Sequence, residues 1–177
     1  MTTRATKAGS LIALGLAAAI PLGAVNPQYA TLRFLEQRVQ SDPIDTVAQN
    51  RLSILCIGLM RETGDLTYLD RARKAAEASV RATPSSQNAS GVAALAVVEF
   101  EAHHFLQALT LANQACATDP RNSSALATAG DAQLELGNYS EAEKTYAQLA
   151  NAETIPAPSV CARLAHRLIR VRPRSVE

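Results

Sequence analysis

At 177 residues the chain holds one domain with room for a leader, and its 17 Lys plus Arg against 16 Asp plus Glu leave no overall charge to draw it to nucleic acid. Only 4% of the residues are aromatic and tryptophan is absent, which argues against a β-sandwich, whose pleated faces want β-branched and aromatic side chains. The abundant alanine points instead to closely packed helices, because alanine loses no side-chain entropy and adds little bulk.

Residues 1–24 read as an export leader. Arg4 and Lys7 make a positive start with no acid before Glu36, Leu11 to Ile20 is an uninterrupted uncharged run, and Pro21-Leu22-Gly23-Ala24 stops the helix beside a small residue at the cut. Leu22 is a mediocre fit to the small-x-small cleavage pattern. The competing reading keeps residues 8–25 as a membrane anchor, although this uncharged stretch falls just short of the ~20 residues of a span and its alanines and Pro21 weaken it. A third reading is a buried amino-terminal helix of a cytosolic protein. In the first two cases the positive-inside rule places the remainder outside the cytoplasm. The expected location is therefore extracytoplasmic, periplasmic or cell-surface, with anchorage by residues 8–25 as the alternative.

Downstream, a helix is predicted from about Ala30 to Gln40, with Leu32, Leu35 and Val39 as its apolar stripe, ahead of Asp42-Pro43. It forms a capping segment over residues 29–43. Pro84, Pro120 and Pro156 then recur every 36 residues, near the ~34-residue period of helix-turn-helix arrays. They divide the chain into units at 44–86, 87–122 and 123–156. Gly64-Asp65 marks the turn of the first unit. In the second, Val92, Leu95, Ala96 and Glu99 share one face and Ala108, Leu111, Ala112 and Ala115 another. In the third, Leu126, Ala129, Gly130 and Gln133 precede a turn that Ala142, Tyr146 and Leu149 follow. Residues 157–177 close the chain, with Pro158-Ser159 able to start a helix whose Val160, Leu164 and Leu168 form one face. Stacked hairpins need such end caps, because each buries its apolar side only against a neighbour.

The run Gly137-Asn138-Tyr139-Ser140-Glu141-Ala142 resembles the inter-helix turn and second-helix start of the tetratricopeptide repeat family. Counted from it, Gly130 and Ala142 fall at the small positions where paired helices approach closely. Tyr146 falls where the family's aromatic fills the gap between successive pairs. Ala96 and Ala108 hold the same small positions in the second unit. The resemblance covers about residues 44–155. It departs where the family often has tryptophan, replaced here by Ser53, Val92 and Leu126, and in the first unit, where Leu66-Thr67-Tyr68-Leu69 lengthens the lead into the second helix. It implies an all-α, right-handed α-solenoid of about three helix-turn-helix repeats with flanking capping helices. It also implies a concave face that receives a peptide segment or a partner's helix. By repeat position that face comprises Arg51, Ile54, Arg61, Ser90, Ala93, Val97, Glu101, Ser124, Ala127, Asp131 and Glu135. These residues lack the dense Lys/Arg/Asn clamp with which some members grip a terminal carboxylate.

Nothing in the sequence calls for catalysis, a metal or a cofactor. Cys56, Cys116 and Cys161 lie far apart without CxxC spacing and read as small hydrophobes. His103-His104 falls in a turn with no acid, cysteine or third histidine beside it in sequence. Asn88-Ala89-Ser90, Asn122-Ser123-Ser124 and Asn138-Tyr139-Ser140 match the glycan acceptor pattern, but asparagine and serine at repeat boundaries are expected as helix caps. Residues 160–177 carry Arg163, Arg167, Arg170, Arg172 and Arg174 against Glu177 alone. That excess can orient a partner or attract an anionic lipid surface, and its plainer reading is the wet face of a closing helix. The expected function is a non-catalytic, exported protein-interaction scaffold that assists assembly of an envelope or membrane complex. Membrane association would run through the amino-terminal segment or the basic tail, and nucleic acid is not an expected partner. The alternatives are a membrane-anchored structural subunit and a regulatory module of an enzyme in another chain.

Overall fold

The computed structural model describes residues 27–152; the expected leader and the expected closing helix with its basic tail lie outside the described residues. Those residues form seven α-helices and no strand: α1 Pro27–Ser41, α2 Thr46–Thr63, α3 Thr67–Ala82, α4 Ala89–Glu101, α5 Phe105–Thr118, α6 Ser123–Glu135 and α7 Tyr139–Ala152. A single 3-10 turn, Ser85–Gln87, follows Pro84.

Local chemistry sets the boundaries. The orphan amides at the start of α2, α4 and α6 are met by side-chain oxygens: Asp45 accepts from the Ala48 N–H, Asn88 from Gly91 and Asn122 from Ala125, at 2.9–3.0 Å. Two of the three glycan-like asparagines are thus committed as caps, and Asn88 is only 7% exposed. Gly64 and Gly137 turn the chain at φ +73° and +81°, a left-handed conformation that glycine adopts without a Cβ clash. The matching turn between α4 and α5 puts His103 there, at φ +62°. The extra residues of the first unit do not form a separate lead. They wind into the first turn of α3, started by Asp65 accepting from the Thr67 N–H at 2.9 Å, so that α3 runs 16 residues against 14 in α5 and α7.

Consecutive helices pair as the hairpins α2–α3, α4–α5 and α6–α7, and α3 packs on α4 and α5 on α6. The first helices of the hairpins also meet, α2 with α4 and α4 with α6, whereas no comparable contact joins α3 to α5 or α5 to α7. A layer in which neighbours touch is shorter than one in which they do not. The stack therefore curves with α2, α4 and α6 on its inside, as helix-pair solenoids do. Ile57, Leu59, Val92 and Val98 are the large apolar side chains most completely removed from water, each contributing about 2 kcal/mol.

Between paired helices the space is taken by Ala96, Ala108, Ala112 and Ala142, all fully buried. Gly130 shows why the position must be small, since a Cβ there would lie 2.6 Å from Tyr146 Cε1. The Tyr146 ring thus packs against Gly130 within its own hairpin, and its hydroxyl donates to Asp131 Oδ1 at 2.6 Å. At the amino-terminal end α1 packs on α2 through Leu32 and Leu35. Glu36 pairs with Arg71 of α3, and Gln28 Nε2 donates to Glu62 Oε1 at 2.9 Å.

Candidate functional site

The inner face carries a groove of about 570 Å³ walled by four helices. Three of them supply side chains at the same i, i+3, i+4 spacing, which places each set on one helix face: Thr31, Phe34 and Leu35 from α1; Arg51, Ile54 and Leu55 from α2; Ser90, Ala93 and Ala94 from α4. Asn50, Asn122 and Ser124 complete the lining. Ala93 and Ala94 of α4 make a buried floor. Beside it Phe34, 60% exposed, and Ile54, 46% exposed, are two large apolar groups of the lining left in water.

An asparagine ladder holds the edge of this groove. Asn88 Nδ2 donates to Ser79 Oγ at 2.9 Å and to the Ser79 carbonyl at 3.0 Å, while Asn88 Oδ1 accepts from Asn50 Nδ2 at 3.4 Å. Gly91 leaves room for the ladder, since a Cβ on it would run into Asn88 Nδ2 and Ser79 Oγ. Asn50 Oδ1 is buried and has no hydrogen-bond partner among the described residues.

Charge is distributed unevenly. Arg38 is paired with Asp45, Arg61 with Glu101, Arg71 with Glu36, Arg73 with Glu99 and Arg81 with Glu77. Among the described residues no acid lines the groove, and Arg51 makes no ion pair or hydrogen bond.

Of the residues assigned to the concave face from sequence, Arg51, Ile54, Ser90, Ala93 and Ser124 come together in this groove. The other six do not line it. Arg61 donates from Nε to Glu101 Oε1 at 3.0 Å, so these two neutralise each other across α2 and α4. Val97 and Ala127 are half-buried against the hydrophobic clusters, and Asp131 is buried, accepting from the Tyr146 hydroxyl. Glu135 is exposed at the end of α6. The groove is instead completed by Thr31, Phe34 and Leu35 of α1, together with Asn50, Leu55, Ala94 and Asn122. A signal for α1 was readable: Phe34 is a large apolar residue off the Leu32–Leu35–Val39 stripe.

The turn histidines are less isolated than the sequence implies. His104 Nδ1 lies 2.7 Å from Glu99 Oε2, and Arg73 reaches the other oxygen of the same carboxylate, which is 1% exposed. This is a structural latch from α3 to the α4–α5 turn. Among the described residues no group of three His, Cys, Asp or Glu side chains is placed to hold a metal ion. Burial pushes the Cys56 thiol up to about 11 and raises that of Cys116 as well, with Asp119 adding to the latter; neither is a ready thiolate at neutral pH.

A curved stack of helical hairpins with a lined inner groove defines a helical-repeat protein. Residues 99–154, about a third of the chain, match the tetratricopeptide repeat profile. Among solved structures the chain is similar to TTC0263, a thermophilic TPR protein of Thermus thermophilus, at 20% identity and a TM-score of 0.65 over 78% of this chain and 71% of that one. It is also similar to MamA, at 14% identity and a TM-score of 0.56 over 78% and 81% of the two chains. The first TPR of Spaghetti (RPAP3), solved bound to the HSP90 peptide SRMEEVD, aligns at 18% identity and a TM-score of 0.54 over 68% and 96%. A search of curated proteins by sequence found no match.

Proposed function

We propose that the protein is a non-catalytic adaptor that holds a segment of a partner protein against its inner face, and that it works outside the cytoplasm in assembling an envelope or membrane complex. The observation that carries the docking reading is the groove itself. Phe34 and Ile54 stand in water beside a floor of alanine, and exposed apolar surface arranged as a concavity is surface kept for a ligand. The RPAP3 repeat, which holds a peptide, supports the same use of the fold. Export rests on the charge and hydropathy order of residues 1–24. None of the described helices is long and apolar enough to cross a membrane, so in the anchored alternative that task falls to residues 8–25.

Photo-crosslinking in the native host tests the docking face. A benzophenone side chain at Ile54 is expected to give adducts, and one at Gln148, exposed on α7, is not. Adducts from both positions alike, or from neither, would refute docking in the groove. The mass of the mature amino terminus tests export: a start near Val25 agrees with a cleaved leader, and an intact Met1 in a soluble fraction contradicts both leader and anchor.

A further inference from the structure

Resting on that reading, we infer that the groove's occupant is an acidic amphipathic segment. This is a stretch of a partner chain with apolar side chains beside at least one Asp or Glu, whose carboxylate is taken by Arg51 while its apolar side chains pack between Phe34 and Ile54. Arg51 is then the specificity-determining residue, and α1 is part of the recognition surface as well as an end cap.

Charge carries the argument. The described residues hold more acids than bases, yet those that line the groove include no acid and one guanidinium. Along the rest of the inner face Arg61 is already satisfied by Glu101. Arg51 also lines two further depressions: one shared with Phe34, Arg38, Asp45 and Val47, the other with Thr46, Ser86 and Gln87. Of these neighbours Arg38 and Asp45 neutralise each other. A ligand seated on the apolar walls strips water from Arg51, which is unfavourable unless it brings a counter-charge. A carboxylate meets the guanidinium with two parallel hydrogen bonds, and a basic segment meets like-charge repulsion instead. The protein's own arginine-rich residues 160–177 therefore have the wrong sign to be the occupant. A single arginine asks only for a side-chain carboxylate, so the segment can lie anywhere in the partner's sequence.

The test uses a random-peptide phage library panned against the full chain, followed by anisotropy titration of one selected, fluorescein-labelled peptide. Selected sequences are expected to combine Asp or Glu with Leu, Ile or Phe. Arg51→Ala should weaken the peptide at least about tenfold, and Arg51→Glu more. Exchanging the peptide's acid for lysine should restore binding to the Arg51→Glu protein, a rescue that a merely structural role would not give. Lys144→Glu makes the same charge change on the exposed surface of α7 and should leave binding unchanged. If peptides are selected without acids, or are lost on Ile54→Asp but indifferent to Arg51→Glu, the inference fails and the adaptor reading stands. If no peptide is selected at all, the adaptor reading itself fails.

Discussion

Alanine in place of glycine inside a helix is ordinarily stabilising by about 0.5–1 kcal/mol, because the unfolded chain gives up less freedom. The structure gives this one substitution opposite signs at two positions. At Gly58 in α2 an added Cβ meets nothing within 4 Å, so Gly58→Ala keeps the full gain. At Gly130 in α6 the methyl would sit 2.6 Å from Tyr146 Cε1 and 2.8 Å from Cζ. The ring has nowhere to go, being only 4% exposed and tied at its hydroxyl to Asp131. Overpacking of this kind costs about 1–3 kcal/mol, and pulling the hydroxyl from a buried carboxylate adds about 1.5 kcal/mol or more. Set against the helix gain, Gly130→Ala should lose about 1.5–4 kcal/mol. Urea unfolding followed by far-ultraviolet circular dichroism reads both variants. The midpoint should rise for Gly58→Ala and fall for Gly130→Ala, with slopes unchanged. A Gly130→Ala protein as stable as the parent would show that the Gly130–Tyr146 approach does not set the spacing of this hairpin.

Removing the buried carboxylate of the α3–turn latch by Glu99→Ala leaves Arg73 and His104 facing each other, and should cost about 2–4 kcal/mol in the same assay; a loss under about 1 kcal/mol would mean that solvent replaces Glu99 without penalty. Asp45 is held below its ordinary value of 3.8, first by the Ala48 N–H and then by Arg38. A depressed folded-state value stabilises above the unfolded value and is lost as pH falls through it, so melting temperature should drop on acidification through that range and Asp45→Asn should flatten the drop. An unchanged pH profile in the variant counts against this. Cys56 should resist iodoacetamide at neutral pH in the native protein and react once urea unfolds it, as read by peptide mass; rapid labelling of the folded protein would contradict its burial.

The residues most easily read from sequence are those whose job is local. Gly64, Gly137, Asn88 and Asn122 act on their own backbone within a turn, and Gly130 and Ala142 take their size from a partner a fixed number of residues away in the same hairpin. Period and spacing display such residues directly. The residues that escaped depend on distant parts of the chain. Arg61 meets Glu101 and Glu99 meets Arg73 across separations of 40 and 26 residues. Assigning concave positions repeat by repeat treats Arg61 and Glu101 as two open charges, whereas neighbouring inner helices bring them together and cancel them. Tyr146 was placed by family position, and its packing on Gly130 within the hairpin appears only in the structure.

The placement of α1 bears on how a minimal fragment of this protein should be drawn. A boundary set by repeat similarity alone would begin near Thr46 and discard Phe34 and Leu35, leaving a trough open along one side. Such a truncation would keep its hairpins but lose the α1 wall of the docking face proposed above. Swapping the short pre-repeat helix between relatives would then be a direct route to new partners, with the hairpins themselves untouched.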